Sequence, residues 1–183
     1  MKTLQEVYDS YSMPDRGGDK GTAHSYIDIY AEQIPAESGK SLLEIGVFEG
    51  HSIKMWMEYL PKSLIVGLDK DLSLVKWATL RYQILQCDVT DSVEVQNVVQ
   101  GLFDYIIDDG SHVYKDQVAG LHNLWGFLQV GGKYFIEDVA SIEDAYRLAD
   151  EVYRFTGCES KVYDLRDVKG RADDILIQVD KVK

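Results

Sequence analysis

From residue 41 to the end of the chain, short apolar segments alternate with segments whose apolar residues recur every three or four positions. The short segments are rich in Val, Ile, Leu and aromatic residues and are bounded by polar residues and glycines, which favours buried strands. The segments between them have the periodicity of amphipathic helices. This pattern predicts strands over residues 41–45, 63–68, 82–87, 103–108, 133–137, 160–165 and 175–182, and helices over residues 50–59, 71–79, 92–99, 113–127 and 141–155.

Two further helices are predicted ahead of this region. Apolar residues recur at helical spacing from Leu4 to Tyr11, before Pro14. Thr22 is predicted to be the N-cap of a second helix that ends at Pro35. The segment between them, residues 15–21, is rich in glycine and charge and is predicted to be a loop.

Strands that alternate with helices indicate a parallel sheet covered by helices on both faces. The sequence therefore predicts an α/β fold of the Rossmann-like, doubly wound type, with a mostly parallel seven-stranded sheet. The last two strands have no helix between them and are expected to pair as an antiparallel hairpin at one end of the sheet. At 183 residues the chain is expected to form a single domain.

Two of the predicted strands end abruptly in acidic residues. Asp108 and Asp109 follow the strand at 103–108, and Glu137 and Asp138 follow the strand at 133–137. Parallel neighbours would bring these ends to one edge of the sheet, where ligands bind in such folds. Crowded carboxylates in a partly dry crevice need a cation or a retained proton. The sequence therefore predicts a metal site, with His112 beside it.

A ligand cleft is predicted at the same edge. Gly46 and Gly50 follow the first strand and allow a tight turn into a helix, although a plain turn would need glycine as well. Asp69 ends the second strand, where an acid can accept hydrogen bonds from a ribose diol. Asp88 follows the third strand and is equally suited to meet an adenine amino group or to begin a turn.

Composition narrows the class of partner. The formal net charge is −12 and the Lys and Arg residues are dispersed, so nucleic acid is not expected as a partner. Cys87 and Cys158 are far apart, which favours two buried thiols over a disulfide or a zinc site. No apolar run approaches the length of about 18 residues that spans a membrane. We therefore expect a cytoplasmic protein that binds a small molecule.

Four stretches together resemble the Mg²⁺-dependent macrolide-sugar O-methyltransferases of the mycinamicin and macrocin type, within the class I S-adenosylmethionine-dependent methyltransferases. The resemblance covers residues from about 15 to 139. It implies S-adenosyl-L-methionine and Mg²⁺ as cofactors and a sugar or another small hydroxylated molecule as acceptor. The four stretches are DKGTAHSY at 19–26, LEIGV at 43–47 with GHSIKMW at 50–56, IDDGSH at 107–112 and IED at 136–138.

The resemblance also implies roles for particular residues. Asp109, Glu137 and Asp138 would bind Mg²⁺, and His112 would be the general base that takes a proton from the acceptor hydroxyl. Three carboxylates form a hard oxygen site that suits Mg²⁺. Deprotonation and in-line positioning are what transfer of a methyl group to a sugar hydroxyl requires.

The cofactor would lie beside this metal site. The resemblance places the methionine end near Glu44, Gly46 and Ser52 and the adenosine near Asp69 and Asp88. It also places His24 and Tyr26 over the cofactor, so that residues 1–36 would cover the cofactor cleft and residues 41–183 would form the Rossmann-like core. Asp108 is expected to contact the cofactor or to cap the turn, rather than to bind the metal.

Other interpretations stay open at this level. A loop histidine such as His112 is often only a polar surface residue, and Tyr26 could equally be part of the core. A dinucleotide-dependent oxidoreductase would use the same sheet, although its third glycine is missing. The acids could also serve a binding module without turnover. The identity of the acceptor, a lid function for the loop 166–174 and homo-oligomerisation are not determined by the sequence.

Overall fold

The computed structural model describes residues 2–11, 18–36, 39–76 and 82–183, and one seven-stranded sheet lies at its centre. The strands are β1 (Leu42–Ile45), β2 (Ile65–Asp69), β3 (Tyr82–Gln86), β4 (Phe103–Asp108), β5 (Leu128–Ile136), β6 (Ser160–Asp164) and β7 (Ile175–Asp180). Their order is β3-β2-β1-β4-β5-β7-β6. The first five strands pair in parallel, whereas β7 is antiparallel to both β5 and β6. The predicted Rossmann-like sheet with its antiparallel C-terminal hairpin is confirmed.

Helices cover both faces of the sheet. They are α1 (Leu4–Asp9), α2 (Ile27–Gln33), α3 (His51–Tyr59), α4 (Ser92–Val98), α5 (Tyr114–Leu124), α6 (Ile142–Thr156) and α7 (Arg166–Lys169). Side chains cap several of their first turns: Asp91 accepts from the amides of Val93 and Glu94, and Ser141 accepts from that of Asp144. No helix in the described ranges combines the length and the apolar character needed to cross a membrane.

Two hydrophobic clusters lie on opposite faces of the sheet, because successive side chains of a strand point to opposite sides. Ile106 of β4 packs in the cluster under α4, α5 and α6, where Leu121 and Leu148 are fully buried. Its neighbour Ile107 packs in the other cluster, with Tyr30 of α2 and Trp56 of α3. The N-terminal helices are therefore part of the second core.

Several local predictions differ from the structure. The helix predicted over 71–79 is a 3₁₀ turn at Leu72–Leu74, and residues 77–81, including Trp77, lie outside the described residues. Thr22 does not cap α2, which begins at Ile27 after a series of turns. The tail of the helix predicted over 113–127 is a 3₁₀ turn at Trp125–Phe127. The loop predicted over 166–174 contains α7.

The strand predicted over residues 133–137 begins earlier, at Leu128, so that Gly131 and Gly132 lie within it rather than in the turn before it. Leu128 is buried and already pairs with Phe103 of β4, so the strand begins earlier than the pattern indicates. The register then shifts, and Tyr105 pairs with Lys133. Between these two pairs β5 advances by five residues and β4 by two, so β5 is irregular at this point, and Gly131 there has a φ of 83° that favours glycine.

Candidate active site

The acidic ends of β1, β4 and β5 meet at one edge of the sheet. Ile45 of β1 pairs with Asp108, and Asp108 pairs with Ile136 of β5. The pairing continues into the loops, since the amide of Asp109 donates to the carbonyl of Ile45 and the amide of Glu137 donates to the carbonyl of Asp108. The structure thus brings the two acidic pairs together, as the parallel strands predict.

A cavity of about 640 Å³ opens at this edge. Gly18, Asp19 and Thr22 of the N-terminal segment line it, together with the loops that follow β1 to β4. Seven of the predicted site residues lie in its wall, namely Gly46, Ser52, Asp69, Asp88, Asp108, Asp109 and His112. The other five do not line it and are instead buried around the carboxylates, namely His24, Tyr26, Glu44, Glu137 and Asp138.

Gly46 is required by the close approach of two loops. Its φ is 85°, in the left-handed region that favours glycine. A Cβ atom at this position would lie 1.8 Å from the carbonyl oxygen of Asp109, which no side chain can tolerate. The glycine therefore keeps the loop after β1 directly against the loop after β4.

Two predicted adenosine contacts have local hydrogen bonds as well. Asp69 Oδ2 accepts from the amides of Val47 and Phe48 at 2.8 and 2.9 Å. Asp69 therefore fixes the loop after β1, a local role that its position at the end of β2 did not predict. Asp88 Oδ1 accepts from the amide and the hydroxyl of Thr90, so Asp88 does begin a turn. Both carboxylates still line the cavity.

Asp108 is a buried carboxyl group in the wall of the cavity. Its Oδ1 accepts from the amide of Gly110 at 3.3 Å, which is the predicted turn contact. Its Oδ2 is buried with no partner in the described structure. Burial raises the pKa of Asp108 to about 7.

Lys20 lies at the centre of three carboxylates. Its side chain is fully buried, and Nζ lies 2.6 Å from Asp109 Oδ2, 2.8 Å from Glu137 Oε1 and 3.2 Å from Glu44 Oε1. Burial alone would lower the pKa of Lys20, but the charges of these acids outweigh it and raise the pKa well above its usual value. Lys20 is therefore a buried ammonium ion. Glu44 also accepts from the hydroxyl of Ser52 at 2.8 Å.

Two tyrosines of the same N-terminal segment hold the acids after β5. The hydroxyl of Tyr30 donates to Glu137 Oε1 at 2.5 Å, and that of Tyr26 donates to Asp138 Oδ1 at 2.8 Å. His24 stacks on Tyr26, and its Nδ1 lies 3.1 Å from Asp138 Oδ1. Burial, together with the charge of Asp109, raises the pKa of Asp138 to about 7. Tyr26 is thus both a core residue and a contact of a predicted metal ligand.

The described hydrogen bonds to Asp109, Glu137 and Asp138 use one oxygen of each side chain, namely Oδ2, Oε1 and Oδ1. The second oxygen of Asp138 lies 3.8 Å from Nδ1 of His112, which is partly exposed at the cavity. Each acid is therefore fixed by one oxygen and can offer the other to a ligand.

Ligand atoms suited to a cation form overlapping groups among the described residues. In each group the atoms lie within 4.8 Å of one another. Glu44, Asp109 and Glu137 form one, Asp109, His112 and Asp138 a second, and Asp19, His24 and Asp138 a third. The predicted trio is thus divided, because Glu137 and Asp138 belong to different groups and Asp109 belongs to two.

The segment 165–174 is fastened to the N-terminal loop. Lys169 Nζ donates to the carbonyls of Gly21 and His24, and Asp174 accepts from the amide and the hydroxyl of Ser25. Asp174 is fully buried. These bonds hold the loop that carries Lys20 against the end of the sheet.

Solved structures share this fold. MycE, a methyltransferase from the mycinamycin biosynthetic pathway solved in complex with Mg, SAH and mycinamycin VI, superposes with a TM-score of 0.73 and 21% identity. The match covers 98% of this chain and 54% of MycE. An SAH-bound methyltransferase of Podospora anserina superposes with a TM-score of 0.60 and 16% identity, over 99% of this chain and 88% of that chain. The chain therefore has the Rossmann-like methyltransferase fold.

Curated relatives narrow the similarity to enzymes that act on sugars. Mycinamicin VI 2''-O-methyltransferase of Micromonospora griseorubida is 35% identical over 54% of this chain and 27% of its own length. The 8-demethyl-8-alpha-L-rhamnosyl tetracenomycin-C 2'-O-methyltransferase of Streptomyces olivaceus is 29% identical over 67% and 35%. Demethylmacrocin O-methyltransferase of Streptomyces fradiae is 30% identical over 54% and 27%.

The resemblance to macrolide-sugar O-methyltransferases is confirmed by these relatives. The matches span between 27% and 35% of the lengths of the three relatives. No family model matches the sequence.

Sequence reasoning assigned no role to Lys20 or Tyr30, which contact Asp109 and Glu137. Lys20 lies in the stretch DKGTAHSY at residues 19–26, which is part of the family resemblance. A lysine in that stretch could have indicated a positive charge that compensates the acids. Tyr30 carries no signal beyond its place on a buried helical stripe. The hydrogen bonds between residues 165–174 and the N-terminal loop join residues that are far apart in the sequence, so no local sequence pattern predicts them.

Proposed function

We propose that this chain is a catalytic domain that transfers a methyl group from S-adenosylmethionine to a hydroxyl of a sugar-like acceptor, with Mg²⁺ as the assisting ion. The observation that carries the proposal is the arrangement of Asp109, Asp138 and His112 next to a cavity lined by Gly46 and Asp69. The named activities of the sugar O-methyltransferase relatives support the same reaction.

The acids suit Mg²⁺ because their donors are carboxylate oxygens. Each of Asp109, Glu137 and Asp138 is fixed through one oxygen by Lys20, Tyr30 or Tyr26, which leaves its second oxygen for the ion. MycE, which shares the fold, was solved with Mg and SAH. We assign these three acids as the Mg²⁺ ligands.

The cavity suits the methyl donor. Asp69 and Asp88 lie at the ends of β2 and β3, where they can accept from a ribose or an adenine. Gly46 and Ser52 lie in its wall beside Glu44, and Asp108 Oδ2 is a buried acceptor without a partner. We assign these six residues to the cofactor, and we assign residues 18–36, with His24 and Tyr26, to its cover.

We assign His112 as the general base. When bound, S-adenosylmethionine supplies the methyl group and Mg²⁺ acidifies the acceptor hydroxyl. His112 faces the cavity beside Asp138, where its ring can take the proton of that hydroxyl as the O–CH₃ bond forms and the S–CH₃ bond breaks, with adenosylhomocysteine as the leaving group. The close packing of the loops after β1 and β4 holds the base and the cofactor wall in a fixed relation.

The proposal is tested by methyl transfer from labelled S-adenosylmethionine to a panel of glycosides, free sugars and catechols. Replacement of the base, His112→Ala, is expected to lower kcat by about 10²- to 10⁴-fold, because proton removal loses its acceptor. The affinity for adenosylhomocysteine should stay unchanged. We expect Mg²⁺ to increase the methylation rate of the wild type, and we expect Asp109→Asn to show no such increase.

His122→Ala is the matched control, because His122 lies on α5 and contacts Glu151 and Phe155, away from the acidic edge. Its activity should equal that of the wild type. If the wild type bound cofactor but transferred no methyl group to any member of the panel, a binding module would explain the site better. Methylation that survived His112→Ala and Asp109→Asn would contradict the assigned mechanism.

A further inference from the structure

Two of the cation groups at the acidic edge share Asp109. A group of Glu44, Asp109 and Glu137 lies on one side of it, and a group of His112 and Asp138 lies on the other. A shared carboxylate between two neighbouring cation positions is the arrangement of two-metal sites. The ligand atoms alone would therefore accept two divalent ions.

We propose that Lys20 serves as a built-in cation in the group of Glu44, Asp109 and Glu137, and that it thereby leaves a single divalent ion to the second oxygens of Asp109 and Glu137 and to Asp138, on the side of His112. This inference rests on the proposed function for the divalent ion, but it concerns a different residue and a different position. Lys20 is a positioning residue and does not touch the acceptor.

The contacts of Lys20 support this role. Its ammonium group touches one oxygen of each of the three acids, at 2.6 to 3.2 Å, which is the contact pattern of a small bound cation. Without Lys20, the buried carboxylates of Glu44 and Glu137 would keep only the hydroxyls of Ser52 and Tyr30 as donors, and their charges would be left uncompensated at a large cost in free energy. The side chains of Lys20 and Glu44 are both fully buried, so water does not compensate the charge of Glu44.

Backbone hydrogen bonds fix the main chain at Lys20 before any ligand binds. The amides of Thr22, Ala23 and His24 all donate to the carbonyl of Asp19, and the amide of Tyr26 donates to the carbonyl of Lys20. This tight turn fixes the point from which the side chain extends. A tethered cation of this kind loses no translational freedom on binding, which a free ion would.

Lys20 also limits which oxygen atoms the divalent ion can bind and how much positive charge the site holds. Lys20 occupies Oδ2 of Asp109, so a divalent ion beside Asp138 has the other oxygen of Asp109 to bind. The site then holds one single charge and one double charge rather than two double charges. A divalent ion on the side of His112 lies beside the cavity, since Asp109 and His112 both line it.

The test compares the wild type with Lys20→Met and with Lys20→Met/Glu44→Gln, using Mn²⁺ alone as the probe. Methionine keeps an unbranched side chain, one atom shorter than that of lysine, and removes its charge. The double variant removes one positive and one negative charge together and therefore keeps the net charge of the group. The number of Mn²⁺ ions bound is measured by titration calorimetry and by the electron paramagnetic resonance of free Mn²⁺, and thermal unfolding is followed with and without Mn²⁺.

We expect one Mn²⁺ ion bound by the wild type and two bound by Lys20→Met. The thermal midpoint of Lys20→Met should fall without metal and recover with Mn²⁺, whereas the double variant should bind one ion and depend less on metal for its stability. A Lys20→Met protein that bound Mn²⁺ like the wild type, or that failed to fold even with Mn²⁺, would overturn the inference.

The outcomes separate this inference from the proposed function. One additional ion in Lys20→Met over a wild type that binds none would support the role of Lys20 while contradicting the proposed metal site. One ion in both proteins, with equal affinity and stability, would refute the role of Lys20 and leave the proposed function standing. Binding by neither protein would contradict both.

Discussion

Cys87 lies in the wall of the cavity, immediately after β3, and its side chain is buried. Burial, together with the charge of Glu94, raises the pKa of the thiol to about 11. Only a small fraction is then thiolate at neutral pH, and the thiolate is the nucleophile in alkylation. Cys87 is therefore a weakly reactive thiol in contact with the proposed cofactor site.

Labelling with iodoacetamide tests this prediction in a Cys158→Ala background, where Cys87 is the sole thiol. The rate should be low near neutral pH and rise about tenfold for each pH unit up to about pH 9.5, because the thiolate fraction rises in that proportion below the pKa. Adenosylhomocysteine should slow the reaction by covering the thiol. Rapid labelling that did not depend on pH would contradict the assigned burial.

The acidic residues themselves were predictable from the sequence, because each pair follows an apolar strand and parallel strands end at the same edge. Their partners were not. Lys20 reaches Asp109 across 89 positions of the chain, and Tyr30 reaches Glu137 across 107. No local pattern records such contacts, since they depend on how α2 packs against β5.

At the scale of elements, the segment around α7 is expected to stabilise the loop that carries Lys20. Asp174→Asn keeps the shape of the side chain but replaces a charged acceptor of the amide and hydroxyl of Ser25. Loss of a hydrogen-bonded charge of this kind is expected to lower the free energy of unfolding by about 1–3 kcal/mol. For a chain of this size the thermal midpoint should fall by about 2–4 °C per kcal/mol.

The exposed Asp167 of α7 supplies the control, and Asp167→Asn should leave the thermal midpoint unchanged. Hydrogen exchange of residues 18–26 should accelerate in Asp174→Asn alone, because that loop loses its fastening. Equal midpoints and equal exchange in the two variants would mean that the fastening contributes nothing to the stability of the loop.

Strands and long helices were predictable because their apolar residues repeat with the period of the element. The helix α6 also begins within one residue of its predicted start, and Ser141 is its N-cap. Short elements were not predictable. Thr22 has the chemistry of an N-cap but lies in a turn organised by the carbonyl of Asp19. The helix α7 is one turn long, too short for any apolar period to appear.

At the scale of the whole molecule, cofactor binding should couple to global stability, because both cores and the N-terminal segment meet at the cavity. A ligand at about 100 times its Kd adds about 2.7 kcal/mol to the free energy of unfolding. For this size of chain that corresponds to an increase of about 5–10 °C in the thermal midpoint. We expect this increase with adenosylhomocysteine, and a further one when Mg²⁺ is added.

NAD is the matched comparison ligand, since a dinucleotide-dependent oxidoreductase would use the same edge of the same sheet. It should leave the thermal midpoint unchanged. A larger increase with NAD than with adenosylhomocysteine would favour the oxidoreductase and count against the methyltransferase.

The fold as a whole was the most predictable level, because the alternation of strands and helices leaves few topologies with right-handed connections. The C-terminal hairpin was predicted because no helix was expected between the last two strands, whereas the strand order of the sheet was not predicted. The shape of the acceptor side was not predictable, since it depends on loops that have no apolar repeat.

Phe48, His112 and Asp138 have φ angles of 49°, 57° and 52°, and all three lie in loops at the acidic edge. A left-handed conformation costs a residue other than glycine about 1–2 kcal/mol. His112 is partly exposed, whereas the side chain of Asp138 is buried and hydrogen-bonded to Tyr26. Engineering for heat resistance alone would therefore favour glycine at position 112, and the most readily stabilised versions of this domain would be those that had lost the proposed base. A useful library would hold position 112 constant and seek its gains in the helices away from the acidic edge.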